Sequence, residues 1–130
     1  MFKYNYTIKQ EDLNAGNHVG NERALLYFQW VRDKFFKSHG LDEINIGDNC
    51  GTIQVEANVQ HKKQLFLDQE IEIRITKIEI EGLKIIFEYE IYFEDNLCIT
   101  GSTIILAYNY TEQKIKKVPA VFKEIVENFK

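Results

Sequence analysis

Proline occurs once in this 130-residue chain, at Pro119, and no stretch is compositionally simple, so neither a proline-rich linker nor a low-complexity tail is expected. Cysteine is scarce too. Cys50 and Cys98 stand far apart with no C-x-x-C pair; a chain of this length buries roughly two-thirds of its unfolded surface and needs no disulfide framework. No apolar run approaches the roughly 18 residues of a membrane span. The opening MFKYNYTIKQ lacks the apolar core of a signal peptide, so a cytoplasmic location with reduced, buried thiols is expected. Positive charge is not in excess. A net charge of −4 gives no sequence-wide reason to bind nucleic acid or an anionic membrane.

Phosphate-loop signatures are missing as well. Gly16 and Gly20 have no lysine after them, and no G-x-G-x-x-G occurs. Ser102 sits in T-G-S-T inside a strand pattern rather than on a nucleophile elbow, which favours a structural role. His18, His39 and His61 are scattered, with no cysteine cluster near them, so no metal is expected. No cofactor is implied either.

What is present is a single domain over residues 1–130. With 45% hydrophobic and 28% charged residues it has the composition of a globular protein. Phe2, Tyr4, Tyr6 and Ile8 alternate as a strand does. A helix is expected from Asn21 to Ser38, with Asn21 as N-cap and Glu22 complementing the helix dipole. Ala24, Phe28, Val31 and Phe35 recur on one face, and Leu25, Leu26, Tyr27, Trp30 and Phe36 widen it, while Arg32 falls among the polar residues. So apolar a helix is embraced by other structure. His39 and Gly40 end it.

From Gly51 to Tyr110 the chain reads as four strands in an antiparallel meander. They run Gly51–Gln60, onward from Gln69, Ile85–Phe93 and Cys98–Tyr110, with turns at Gly82 and Asp95-Asn96. Ile71, Ile73 and Ile75 share one parity and Ile78 and Ile80 the other, which predicts a bulge at Thr76 and Lys77. Pro119 is expected in the first turn of a short C-terminal helix carrying Val121, Ile125 and Phe129. The fold class is α+β, with an antiparallel sheet around one long helix. Apolar residues left on the outer sheet face would meet a second copy.

One segment invites chemistry: Asp12-Leu13-Asn14-Ala15-Gly16-Asn17-His18-Val19-Gly20-Asn21 runs directly into the helix. A glycine-softened loop there delivers polar side chains to unpaired N–H groups and a partial positive charge, which can grip a carbonyl oxygen or an anion. The same residues also suit an ordinary capped loop.

In order and spacing, D-L-N-A-G-N-H-V-G-N resembles the D-x-D-x-x-G-H-V-N-N motif of hotdog-fold thioesterases, in the 4-hydroxybenzoyl-CoA thioesterase-like branch. The resemblance continues through the helix, VEANVQHKKQLFLDQEIEI, FEYEIYFEDN, CITGSTIILAYN and the proline-led helix. It implies a hotdog fold, a homodimer or homotetramer, and hydrolysis of an acyl-CoA or acyl-carrier-protein thioester at the dimer interface. By the same resemblance the Asn21 N–H polarises the thioester carbonyl. Asn14, however, replaces the second aspartate, and an amide neither accepts a proton nor attacks a carbonyl. His18 or Glu22 is left to serve as base, a histidine ordinarily titrating near neutrality, with Asn14 positioning water. Asn17 and Gly20 border the substrate, and His61, Lys62 and Lys63 are candidates for the CoA phosphates, although such clusters, like Lys114–Lys117, are commonly solvated surface. A thioester-binding protein without hydrolysis is the second reading. A hotdog dehydratase ranks below both, for want of a histidine on a strand before the helix.

Overall fold

The computed structural model describes residues 1–130. Strand β1 (Phe2–Thr7) leads through a short 3-10 turn (Gln10–Asp12) and a loop into helix α1 (Arg23–Ser38). Five strands follow, β2 (Gly51–His61), β3 (Glu70–Glu81), β4 (Lys84–Phe93), β5 (Asn96–Asn109) and β6 (Lys114–Lys116), and helix α2 (Ala120–Glu127) closes the chain. They form the antiparallel α+β hotdog architecture, one sheet curled around α1. No helix is long and apolar enough to cross a membrane.

The sheet order is β1-β3-β4-β5-β2, with β6 beside β5. This corrects the expected four-strand meander. β3, β4 and β5 do follow one another, because two-residue turns hold each beside the next. Gly82 takes the left-handed φ of 63° in the first turn, and Glu94 (φ 53°) opens the second one residue before the expected Asp95-Asn96. No tight turn joins β2 to β3. The longer Lys62–Gln69 link lets β2 cross to β5, and β1 takes the free edge of β3.

In β3 the register slips between Ile75 and Lys77, the bulge announced by the parity change. It returns the isoleucines to one face: Ile71, Ile73, Ile75 and Ile78 are all buried and Ile80 is half-buried. Opposite them, α1 buries Ala24, Tyr27, Phe28, Val31, Arg32, Phe35 and Phe36 at unbroken three-and-four spacing. Leu25, by contrast, stays exposed. The N-cap falls one residue later than expected, at Glu22 rather than Asn21, with no side-chain cap. Its end is as expected. Gly40, at φ 74°, donates to the Lys37 carbonyl and Leu41 to that of Phe36, satisfying the last turn.

Arg32 is the other correction, for it is buried rather than solvated. Its Nε donates to Glu43 Oε1 (2.8 Å), and one terminal nitrogen donates to the Tyr89 hydroxyl (3.1 Å) and Thr103 Oγ1 (3.4 Å). Thr52 holds the other Glu43 oxygen. A cation can occupy an apolar stripe only where such partners replace its water. In α2, Pro119 is the N-cap rather than a first-turn residue, and Phe122 is the buried anchor while Val121 remains exposed.

Helix α1 approaches the sheet closely at Gly101. Phe28 stacks on Tyr89 with ring centroids 4.3 Å apart, and a Cβ on Gly101 would lie 2.5 Å from both the Phe28 ring and the Asn58 carbonyl oxygen. Gly101→Ala should therefore lower stability by about 1–3 kcal/mol. Urea unfolding followed by circular dichroism checks this, and an unchanged midpoint would mean that α1 can lift off the sheet freely.

Candidate active site

The loop before α1 is a miniature hairpin. Leu13 and Val19 form an antiparallel bridge, and the Asn14 N–H donates to the His18 carbonyl (2.9 Å). Asn14 Oδ1 in turn accepts the Gly16 N–H (2.9 Å), and Asn17 sits in the left-handed region at φ 62°, which asparagine tolerates. Val19 anchors the hairpin to the β2–β3 link by donating to the Leu65 carbonyl (2.9 Å).

Beneath it lies Asp12, whose carboxylate is fully buried. Oδ2 accepts from the Tyr6 hydroxyl (2.6 Å) and the Lys9 N–H (2.8 Å), and Oδ1 from Arg23 Nε (2.8 Å) and a terminal nitrogen (2.5 Å). Burial by itself would raise the Asp12 pKa; these four donors outweigh it and hold the carboxyl below its usual value. Burial and the bond to Asp12 push the Tyr6 phenol upward. Asp12 therefore serves the fold and is not available to a substrate.

A cavity of about 240 Å³ opens beside the helix start, lined by His18 to Asn21 on one side and by His61 to Leu65 with Ile99 on the other. Of the residues singled out in the sequence it gathers His18, Gly20, Asn21, His61, Lys62 and Lys63. Asn14, Asn17 and Glu22 stand outside its lining. Glu22 is nonetheless close: a Cβ on Gly20 would lie 2.5 Å from Glu22 Oε1, so this exposed carboxylate folds over the turn into the space the glycine leaves. On the other wall the N–H groups of Lys62 and Lys63 donate to the Cys98 carbonyl (2.8 and 3.1 Å), and the Lys63 ammonium donates to Asn96 Oδ1 (2.9 Å). Cys98 and Cys50 are free and buried. No three His, Cys, Asp or Glu side chains are grouped to hold a metal ion.

Two features give the cavity chemical capacity. The N–H groups of Asn21, in the turn just before α1, and of Glu22, its N-cap, donate to no backbone or side-chain acceptor in the fold, beside the unpaired amide end of the helix. His18 Nδ1 lies 3.1 Å from the Val19 carbonyl oxygen, which can only accept, so Nδ1 carries the proton. In the neutral ring Nε2 then keeps a lone pair. That nitrogen and Asn14 Oδ1 flank the same point beside Gly16, 3.2 and 3.4 Å from where a Cβ would sit. Sequence reasoning missed Val19, Gln64, Leu65 and Ile99. Leu65, the first apolar residue after the polar run HKKQ, was the one available signal.

A model of the thioesterase-like superfamily matches residues 8–126. Over 130 residues the chain is 23% identical to a protein of Aquifex aeolicus (strain VF5) provisionally described as an esterase, with 99% of this chain and 98% of the relative aligned. A Staphylococcus aureus protein solved in complex with CoA superposes with TM-score 0.86 at 17% identity, over 97% of this chain and 81% of the other. The 1,4-dihydroxy-2-naphthoyl-CoA thioesterase of Synechocystis does so with TM-score 0.86 at 16% identity, over 98% and 96%. At these identities the superpositions speak for the fold.

Asp12 also makes a prediction. Its folded-state pKa is depressed, so its contribution is present above the ordinary carboxyl value of 3.8 and is lost as pH falls through the lower folded value. Asp12→Asn should cost about 1–3 kcal/mol at pH 7, and the gap to the parent should close below pH 4. Denaturant melts at pH 7 and pH 3 would show it; a gap independent of pH would contradict the assignment.

Proposed function

The chain belongs to the thioesterase-like superfamily, and on that premise we propose that it hydrolyses an acyl-CoA, or an acyl thioester of a carrier protein, to a carboxylic acid and a free thiol. The observation that carries this reading is the cavity where an unpaired helix-start amide, an imidazole and a basic strand end converge. CoA bound to one structural relative and the CoA ester hydrolysed by another favour the CoA substrate.

In this mechanism the thioester carbonyl accepts the Asn21 N–H beside the positive end of α1. Water adds to the carbonyl carbon, His18 Nε2 takes its proton, and the C–S bond breaks with the proton passing to the leaving thiolate. Asn14 orients the water, an amide being able to hold it but not to deprotonate it. Glu22, folded over Gly20 at the rim, is the alternative base. Gly20 keeps the path to the amide open and Asn17 shapes the loop edge. Lys62 and Lys63, with His61, meet the phosphates of CoA as charge-assisted donors.

A second copy completes the site along β2, the sheet edge opposite β1. There Val55, at the β2 bulge, is 54% exposed and Ile53 37% exposed, apolar surface on an unpaired edge strand. Homodimer and homotetramer both satisfy this. Asn14 in place of a carboxylate supports one other reading, a protein that binds acyl thioesters without cleaving them.

Thiol release from short, medium, long and aromatic acyl-CoAs is the first test. Asn21→Pro, which lacks the donor N–H, should lose about 100- to 1000-fold in kcat, and His18→Ala should lose about 100-fold or more. Unchanged turnover in a folded Asn21→Pro protein removes the oxyanion role. Binding without release by the parent protein moves the assignment to the non-hydrolytic reading.

Asn14→Asp gives a sharper result. An aspartate can accept the Gly16 N–H as Asn14 does, so the loop should persist while a carboxylate base is gained. Turnover should rise, and a folded variant with no gain would mean that the missing carboxylate does not limit the rate.

A further inference from the structure

Asp12 grips the start of α1 at two points. Its backbone carbonyl accepts the Gly20 N–H (3.1 Å), and its carboxylate accepts both guanidinium bonds from Arg23. The Arg23 N–H donates to the Gly20 carbonyl (3.0 Å), closing the turn. Between the two gripped residues lie only Asn21 and Glu22, the residues whose N–H groups are unpaired. The carboxylate is anchored from the far side by Tyr6 of β1 and by the Lys9 amide. The turn is thus referred to the sheet, not only to its own helix.

We infer that Arg23 and Asp12 are positioning residues, a clamp that fixes the Gly20–Arg23 turn and so aims the Asn21 amide into the cavity. This inference rests on the proposed hydrolysis for its kinetic consequence but not for its geometry. A guanidinium suits the task because two donors on one planar frame converge on Oδ1 of the carboxylate, a fixed geometry that an ammonium cannot reproduce. A backbone amide has no side chain to orient it, so its aim depends on what holds the residues either side.

The experiment pairs kinetics with backbone dynamics in full-length protein. Arg23→Met keeps most of the side-chain volume and removes the donors. Its kcat should fall on the order of 100-fold, the effect of about 1 Å of misplacement, with KM changed by less than about threefold; Arg23→Lys should recover part of the loss. The remote core variant Phe122→Leu, chosen to lower Tm comparably, should leave kcat unchanged. Nitrogen-15 relaxation should give order parameters near 0.85 for the Asn21 and Glu22 amides in the parent and below about 0.6 in Arg23→Met. Order parameters that stay high overturn the clamp whether or not the protein hydrolyses anything, as does a kcat loss that merely tracks Tm across the variants. A parent without thiol release on any substrate defeats the hydrolytic reading alone, and the relaxation data still decide the clamp.

Discussion

The buried carboxylate of Asp12 ties three parts of the chain that the sheet alone would leave independent. β1 reaches it through Tyr6, the 3-10 turn through the Lys9 amide, and α1 through Arg23. An anion in that position would be costly without donors, and it has four. Because both oxygens are engaged twice, no member of the cluster can move without leaving a buried acceptor site unsatisfied. The hairpin that carries Asn14 and His18 has few contacts of its own. It inherits its position from Asp12 at one end and from the Val19–Leu65 bond at the other.

Helix and sheet are joined by a second device of the same logic. Phe28 lies flat on Tyr89 because Gly101 presents no Cβ, and the Tyr89 hydroxyl then meets Thr103 (2.6 Å) and Arg32. Burial pushes the Tyr89 phenol upward, so it stays a neutral donor and acceptor beside the guanidinium. The aromatic stack sets the depth of α1 against the sheet. The Arg32–Glu43 pair sets its rotation, since a buried cation tolerates only the orientation in which its partners are reached. Between them the two devices fix where the helix N-terminus emerges.

Much of this was legible in the sequence wherever a local rule governs. The parity switch from Ile75 to Ile78 located the bulge, Gly40 the helix end, Gly82 the hairpin, and the loop from Asp12 to Asn21 the cavity. What was not legible depends on partners far away in the chain. Arg32 looks like a surface residue until Glu43, Tyr89 and Thr103 are brought around it, the last from 71 positions along. β2 looks like the neighbour of β3 until the Lys62–Gln69 link proves long enough to carry it across. Asn21 looks like an N-cap, yet its place in the turn is decided by Asp12 nine residues before. Polar groups that satisfy one another at long range leave no periodic trace.

That same dependence bears on the substitution at Asn14. Its side-chain oxygen is already committed to the Gly16 N–H, a bond an aspartate makes equally well. The loop therefore does not require asparagine, and the geometry is indifferent to the choice. Only the chemistry differs: an amide brings a donor where a carboxylate would bring a base. In the proposed hydrolysis a site with an amide donor, a cavity and a basic rim, but no carboxylate at this position, needs another group for proton transfer. The neighbour on the same side of Gly16 is His18, with Nδ1 engaged by the Val19 carbonyl and Nε2 open. In the proposed hydrolysis the asparagine and the histidine therefore act as one unit, the first holding water and the second accepting its proton.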